Sequence, residues 1–195
     1  GVSSISIGTG NTVNGARSGA IGDPSVIDSA DSYSVGNNNI LGAAASNTFV
    51  LGNNVNINVA NATALGDGTS VTQAGGVALG SGSVANTAAG EKGYDPVTGL
   101  PSTDTSSTWV STLGAVSVGG GSAGSTRQIT NVAAGTTDTD AVNVAQLKRV
   151  NDVANAGWNV AANGEATGGN VAPGGKVDFR SRDSHTPITR TGTAR

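Results

Sequence analysis

Short apolar triplets closed by glycine recur down the first two thirds of the chain, with polar turn residues between them. The glycines are Gly8, Gly22, Gly36, Gly52, Gly66, Gly80 and Gly119, evenly stepped except for a slightly longer interval after Gly36 and a much longer one after Gly80. Before each stands a branched aliphatic: Ile7, Ile21, Val35, Leu51, Leu65, Leu79 or Val118. Two positions earlier come Ile5, Gly19, Tyr33, Phe49, Thr63, Val77 and Val116, and between them the mostly small Ser6, Ala20, Ser34, Val50, Ala64, Ala78 and Ser117. Large, small, large, glycine predicts a strand with two unlike faces, because successive side chains of a strand alternate. Five positions after the glycine a second apolar site recurs as Val13, Ile27, Leu41, Ile57, Val71 and Ala85. Each period therefore holds two short strands and two turns, the pattern of a stacked solenoid.

A coil of about 14 residues has room for two strands of about five residues, and its interior is one side chain deep on each side. Stacking at roughly 4.8 Å pairs each coil's backbone with its neighbours. Both faces of the large-small-large strand are too apolar for water, so the missing cover is expected to be another chain. The longer step from Gly36 to Gly52 predicts two extra residues in the turn around Ala43 to Asn47, where loops absorb insertions cheaply. Asn37, Asn38, Asn39, Asn53, Asn54 and Gly66-Asp67-Gly68 are turn chemistry.

The long step from Gly80 to Gly119 holds an insert of about 86–113 that breaks the period and contains Tyr94 and Trp109. Long loops are commonly functional. Trp109 either pins the insert onto the array or belongs to a binding loop, and Tyr94 and Trp109 are the candidate contact surface. Beyond a Gly/Ser bridge the period changes from strand to helix: Val144, Leu147, Asn151 and Ala154 are spaced as a heptad seam. Thr139 or Asp140 is expected to cap its start and Gly157 its end, giving about 16 residues or some 24 Å. So short a helix expects partners. Asn151 on the seam either fixes register and strand number or, around a threefold axis, holds an anion with its amides.

Composition narrows the function classes. The chain has 31 glycines, 3% aromatic and 12% charged residues and no cysteine, which excludes a disulfide framework and thiol chemistry. Its net charge is −3, and only Arg17 and Lys92 are basic before Arg127, so no basic patch for nucleic acid is expected there. No apolar run reaches membrane-spanning length. The ladder is already running at Ile5 and the chain lacks an initiating Met, which reads as an excised piece whose export signal and anchor lie outside it.

At 129–148 the chain reads ITNVAAGTTDTDAVNVAQLK, and this stretch is similar to the neck of the trimeric autotransporter adhesins. The ladder resembles the repeats of their YadA-like heads, here SYSVG, TFVLG, ATALG and GVALG. Gly93-Tyr94-Asp95-Pro96 through Ser111-Thr-Leu-Gly-Ala-Val resembles an insert of such heads. Gly157-Trp158-Asn159-Val160 with Gly169 to Gly174 and Val177-Asp178-Phe179 resembles the start of a tryptophan-ring module. The resemblance implies a mainly β protein: a left-handed parallel β-roll head at 1–126, homotrimeric, with a neck at 127–148. A short trimeric coiled coil at 149–156, a small β module at 157–179 and an irregular tail at 180–195 follow. Asn131, Asp138, Asp140, Asn143, Val144, Leu147 and Asn151 are its structural trimer residues. It further implies a non-enzymatic virulence adhesin at a bacterial cell surface, held in the outer membrane by a C-terminal part absent here, binding host matrix or cells and self-associating between cells. No cofactor, metal or nucleic acid is expected.

Two other classes are weaker. Left-handed hexapeptide transferases use about 18 residues per coil and commonly a histidine in the array, whereas His185 lies in the tail with four of the ten basic residues. Asp23, Asp28 and Asp31 could form a carboxylate cluster, but short acids near turns more often bond the backbone. Gly66-Asp67-Gly68 lacks the nonapeptide spacing of calcium-binding β-rolls. An ice- or mineral-binding solenoid needs identical polar residues on a flat face, and here Thr9, Asp23, Asn37, Asn53, Asp67 and Ser81 vary. A structural or self-associating solenoid remains the alternative to an adhesin, with a β-solenoid enzyme behind it.

Overall fold

The computed structural model describes residues 1–121, 125–161, 166 and 168–179. The chain divides into two compact units, 1–130 and 131–195.

Unit 1 is the solenoid. Its first coil contributes β1 (Ile5–Ile7) and β2 (Thr12–Val13), and the second β3 (Gly19–Ile21) and β4 (Ser25–Ile27). The third gives β5 (Tyr33–Val35) and β6 (Asn39–Leu41), the fourth β7 (Phe49–Leu51) and β8 (Asn56–Ile57). The fifth gives β9 (Thr63–Leu65) and β10 (Ser70–Val71), the sixth β11 (Val77–Leu79) and β12 (Val84–Ala85). After a hairpin of β13 (Tyr94–Asp95) and β14 (Leu100–Pro101) the chain returns as β15 (Val116–Ser117). One sheet runs β1-β3-β5-β7-β9-β11-β15, all parallel, as the glycine ladder predicts. The second side carries β2-β4-β6-β8 and β10-β12, also parallel. The strands are two or three residues long, shorter than expected, because each coil must bend twice within one period.

The structure decides which face fills the roll. In the second to sixth coils the middle residue of the triplet is buried: Ala20, Ser34, Val50, Ala64 and Ala78 join Ile27, Leu41, Ile57, Val71 and Ala85 of the opposite side in the core, whereas Ser6 of the first coil is exposed. Small faces large because the two sheets leave room for only one long side chain between them. Buried hydroxyls run beside this core as a ladder. Ser18 Oγ donates to the Ser29 carbonyl and accepts from Ser32 N, Ser32 Oγ repeats this with Ala45 and Thr48, and Thr48 with Val59 and Ala62. Ala45 is thus the counterpart of Ser29, yet stands four positions after Leu41 where Ser29 stands two after Ile27. The two extra residues therefore fall within 42–44, at the start of the expected turn, and Leu41 still pairs with Ile57.

Gly36 shows why the ladder residue is glycine. Its φ is +128°, and a Cβ there would lie 1.8 Å from the Gly52 carbonyl oxygen of the next coil. The coils touch too closely for any side chain.

Unit 2 holds one helix and one hairpin among its described residues. Helix α1 is Val144–Asn155, 12 residues, with Asn143 as its N-cap. This corrects the expected start at Thr139 or Asp140, and the helix is shorter than expected by about that first turn. The Asp140 carboxylate is occupied elsewhere, accepting from the backbone N–H groups of Thr136 and Thr137 and from Thr136 Oγ1. The expected end is observed: Gly157, φ +68°, follows the C-cap Ala156. Beyond it β16 (Trp158–Val160) and β17 (Gly169–Val171) pair antiparallel, Trp158 opposite Val171.

Candidate adhesive and assembly surfaces

The outer residues of the seven-stranded sheet form an exposed apolar face of unit 1. In register they make two columns: Ile7, Ile21, Val35, Leu51, Leu65 and Leu79; and Ile5, Gly19, Tyr33, Phe49, Thr63, Val77 and Val116. Tyr33 fills the gap that Gly19 leaves, since a Cβ at Gly19 would meet its ring at 2.7 Å. Ile5, Ile7, Ile21, Tyr33, Phe49, Leu51, Leu65 and Val116 are 41–62% exposed in the single chain. A contiguous apolar face of this kind is characteristic of an interaction surface.

The turns after Gly8, Gly22 and Gly36 are held by Asx side chains of the following coil. Asp23 accepts from Thr9 N, Asn37 from Asp23 N and Asn53 from Asn37 N. Asp28 accepts from Asn14 Nδ2, and Asp31 takes Arg17 bidentately, both bonds 2.6 Å. The three acids considered for catalysis are thus spent on turns and ladder contacts. Among the described residues no group of His, Cys, Asp and Glu has metal-site geometry.

Residues 86–113 leave the array at β12 and return to it at β15. Ala115 N donates to the Thr87 carbonyl, and Gly114 lies so close to 74–76 that a Cβ would sit 2.7 Å from the Ala74 oxygen. These backbone contacts fasten the insert. Trp109 lies inside it: its indole packs over Gly93, and its carbonyl accepts from Gly93 N. The β13–β14 turn is set by Asp95, whose carboxylate accepts from Val97 N and Thr98 Oγ1 and is thereby held below the usual carboxylate range. Tyr94, Val97 and Leu100 are exposed at this tip, whereas Trp109 is half-buried.

In unit 2 the expected residues fall into two groups. Asn143 and Asp140 organise the segment before α1. Asn143 accepts from Gln146 N and donates to the Val132 carbonyl, while the Gln146 carboxamide meets Asn143 N and both backbone groups of Gly135. Asp140, accepting from the N–H and O–H donors of Thr136 and Thr137, is lowered to about 2. Asn131 adopts φ +61°, the left-handed conformation Asn tolerates, and Asp138 is exposed. Val144 and Leu147 form the second group, 67% and 62% exposed, as are Val150 and Val153 at 64% and 78%. No residue of α1 is buried. Asn151 Oδ1 accepts from Asn155 Nδ2 within the helix. Gln146 was missed at sequence level, although Asn followed three positions later by Gln is a capping-box signature. His185 and the rest of 180–195 lie outside the described residues.

Residues 128–169 match the family model described as the coiled stalk of trimeric autotransporter adhesin. The chain is 49% identical over 111 residues to the autotransporter adhesin BadA of Bartonella henselae, covering 56% of this chain and 4% of that protein. It is 54% identical over 68 residues to the trimeric autotransporter adhesin AtaA of Acinetobacter sp. (strain Tol 5), covering 34% of this chain and 2% of that protein. The chain spans only a few hundredths of either relative's length. Over these stretches the chain is similar to trimeric autotransporter adhesins.

Proposed function

We propose that this chain is a segment of a non-enzymatic bacterial surface adhesin and that it works as a homotrimer. The observation that carries the reading is the uncovered apolar sheet face of unit 1, eight large side chains from Ile5 to Val116. A narrow roll cannot bury these residues within one chain, and two further copies of the same face would cover them around a threefold axis. The bare seam of α1 asks for the same partners, because an isolated helix of 12 residues is marginal in water. On this reading 1–126 is the head, 127–148 the neck and 149–156 a short coiled coil. Residues 157–179 open a small β module, and 180–195 are a tail.

Val144 and Leu147 then pack at the threefold axis. Asn131, Asp138, Asp140 and Asn143 shape the neck, and Asn151 fixes register. The insert tip with Tyr94, and Trp109 behind it, is the contact surface for a host matrix protein or cell-surface ligand. Threefold repetition turns weak contacts into firm attachment, and the same surface can join cells to one another. The site of action is the bacterial surface, with the outer-membrane anchor in a C-terminal part of a longer protein.

Two measurements test this. Light scattering should give three chains for the full piece, and a piece ending before Arg127 should dissociate or melt earlier. Beads coated with the chain should bind immobilised matrix proteins, and Tyr94→Ala should weaken that binding. A stable monomer whose apolar face is covered in solution by its own chain would overturn the trimer, and trimers that bind no matrix protein or cell would overturn the adhesive role.

A further inference from the structure

Arg127 follows the last coil, and its side chain turns back onto it. Nη1 donates to Ser83 Oγ at 2.9 Å and to the Val118 carbonyl at 2.5 Å, and Nη2 to the Ser81 carbonyl at 2.6 Å. Gly80 makes room for this, since a Cβ there would stand 3.0 Å from Arg127 Cζ. Three of the five guanidinium hydrogens are thus used, all on neutral oxygens. Among the described residues Nε has no acceptor, Nη2 keeps one hydrogen, and no carboxylate is paired with the group. Arg17 shows what these same two nitrogens take elsewhere in the chain: its Nε and Nη2 grip the two oxygens of Asp31.

Beside Arg127 lies an open cleft of about 260 Å³ lined by Ser81, Gly82, Gly120, Ser125, Thr126 and Arg127. Among the described residues its walls are hydroxyls, glycine backbone and one cation, with no large apolar side chain. An aromatic or aliphatic ligand finds nothing to stack on among the described residues, and a neutral sugar leaves the guanidinium unanswered. A phosphate dianion would be half neutralised by a single Arg. The acid of the neighbouring coil, Asp67, is engaged by Asn54 Nδ2 at 2.8 Å. The chemistry that answers every wall is a carboxylate on a polyhydroxy ring.

We propose that this cleft is a subsite for an acidic sugar of the uronic acid class. Its carboxylate lies on Nε and Nη2 of Arg127, and its ring hydroxyls on Ser81, Ser125 and Thr126. The subsite deepens the adhesive reading by naming a ligand class, and to that extent rests on it. One exposed pair binds weakly, so a single sugar has low affinity and a polymer engaging several copies has more.

The test is saturation-transfer NMR on the whole chain with sodium glucuronate as probe, against glucose and sodium acetate at equal concentration. Glucuronate is expected to saturate at least tenfold more strongly than either control, and Arg127→Gln to abolish the difference. Because Arg127 also holds the last coil, Thr126→Val is measured beside it. Among the described residues the Thr126 side chain has no hydrogen-bond partner, so this variant should melt normally and still lose at least half of the glucuronate signal. No glucuronate signal, equal signals from acetate or glucose, or a signal unchanged in both variants would overturn the subsite. The readout needs neither cells nor matrix protein, so failure of the adhesive reading shows as lost attachment with the glucuronate signal intact.

Discussion

Asp140 carries the clearest electrostatic signature in the chain. Hydrogen bonds from Thr136 and Thr137 hold its carboxyl at about 2, below the ordinary 3.8. A depressed carboxyl contributes stability that is complete above its unfolded value and is lost as the pH falls toward the folded one. The loop 136–140 should therefore stay ordered at pH 5 and loosen between about pH 4 and pH 2. Amide exchange at Thr136 and Thr137 across that range checks this, and Asp140→Asn should remove the pH dependence. Asn143→Ala removes the cap of α1 and the tie to Val132, at a cost of about 1 kcal/mol. It should show as lower helicity and an earlier transition by circular dichroism. Sequence reading named both residues but assigned the cap to 139 or 140. The choice between neighbouring cap formers depends on which of them the preceding loop has already engaged, and no local pattern records that.

The repeating strands were legible almost residue by residue, because a constant spacing puts equivalent positions directly above one another and the hydrogen bonds follow. Ile57 is 1% exposed in the column with Leu41. Ile57→Ala should cost about 2–5 kcal/mol, read from chemical unfolding of the full chain. Gly36→Ala forces a side chain into φ +128° and into the Gly52 carbonyl. Backbone strain alone should then destabilise by about 1–3 kcal/mol, seen as a lower melting temperature. Less legible was the insert. Its two strands pair with one another rather than with the array, and Trp109 serves the insert's own packing over Gly93. An aperiodic stretch offers no neighbouring copy against which to read its contacts.

Assembly belongs to the whole molecule. On the proposed trimer, Phe49→Asp and Leu65→Asp replace outward side chains that one chain leaves 50% and 44% exposed. Each should leave the strand content of the single chain intact while shifting the mass toward monomers, measured by light scattering with circular dichroism as control. An unchanged mass would place the interface elsewhere. Period, strand positions, turn residues and the helix followed from the amino-acid order alone, because they depend on local alternation and on a spacing that repeats. Which apolar face turns inward depended on volume: two sheets this close admit Ala, Ser or Val from one side and Ile or Leu from the other. The same holds for Arg127, whose guanidinium reaches far back along the chain to Ser81 and Ser83. Contacts at that separation exist only once the coils are stacked, so only the folded chain could disclose them.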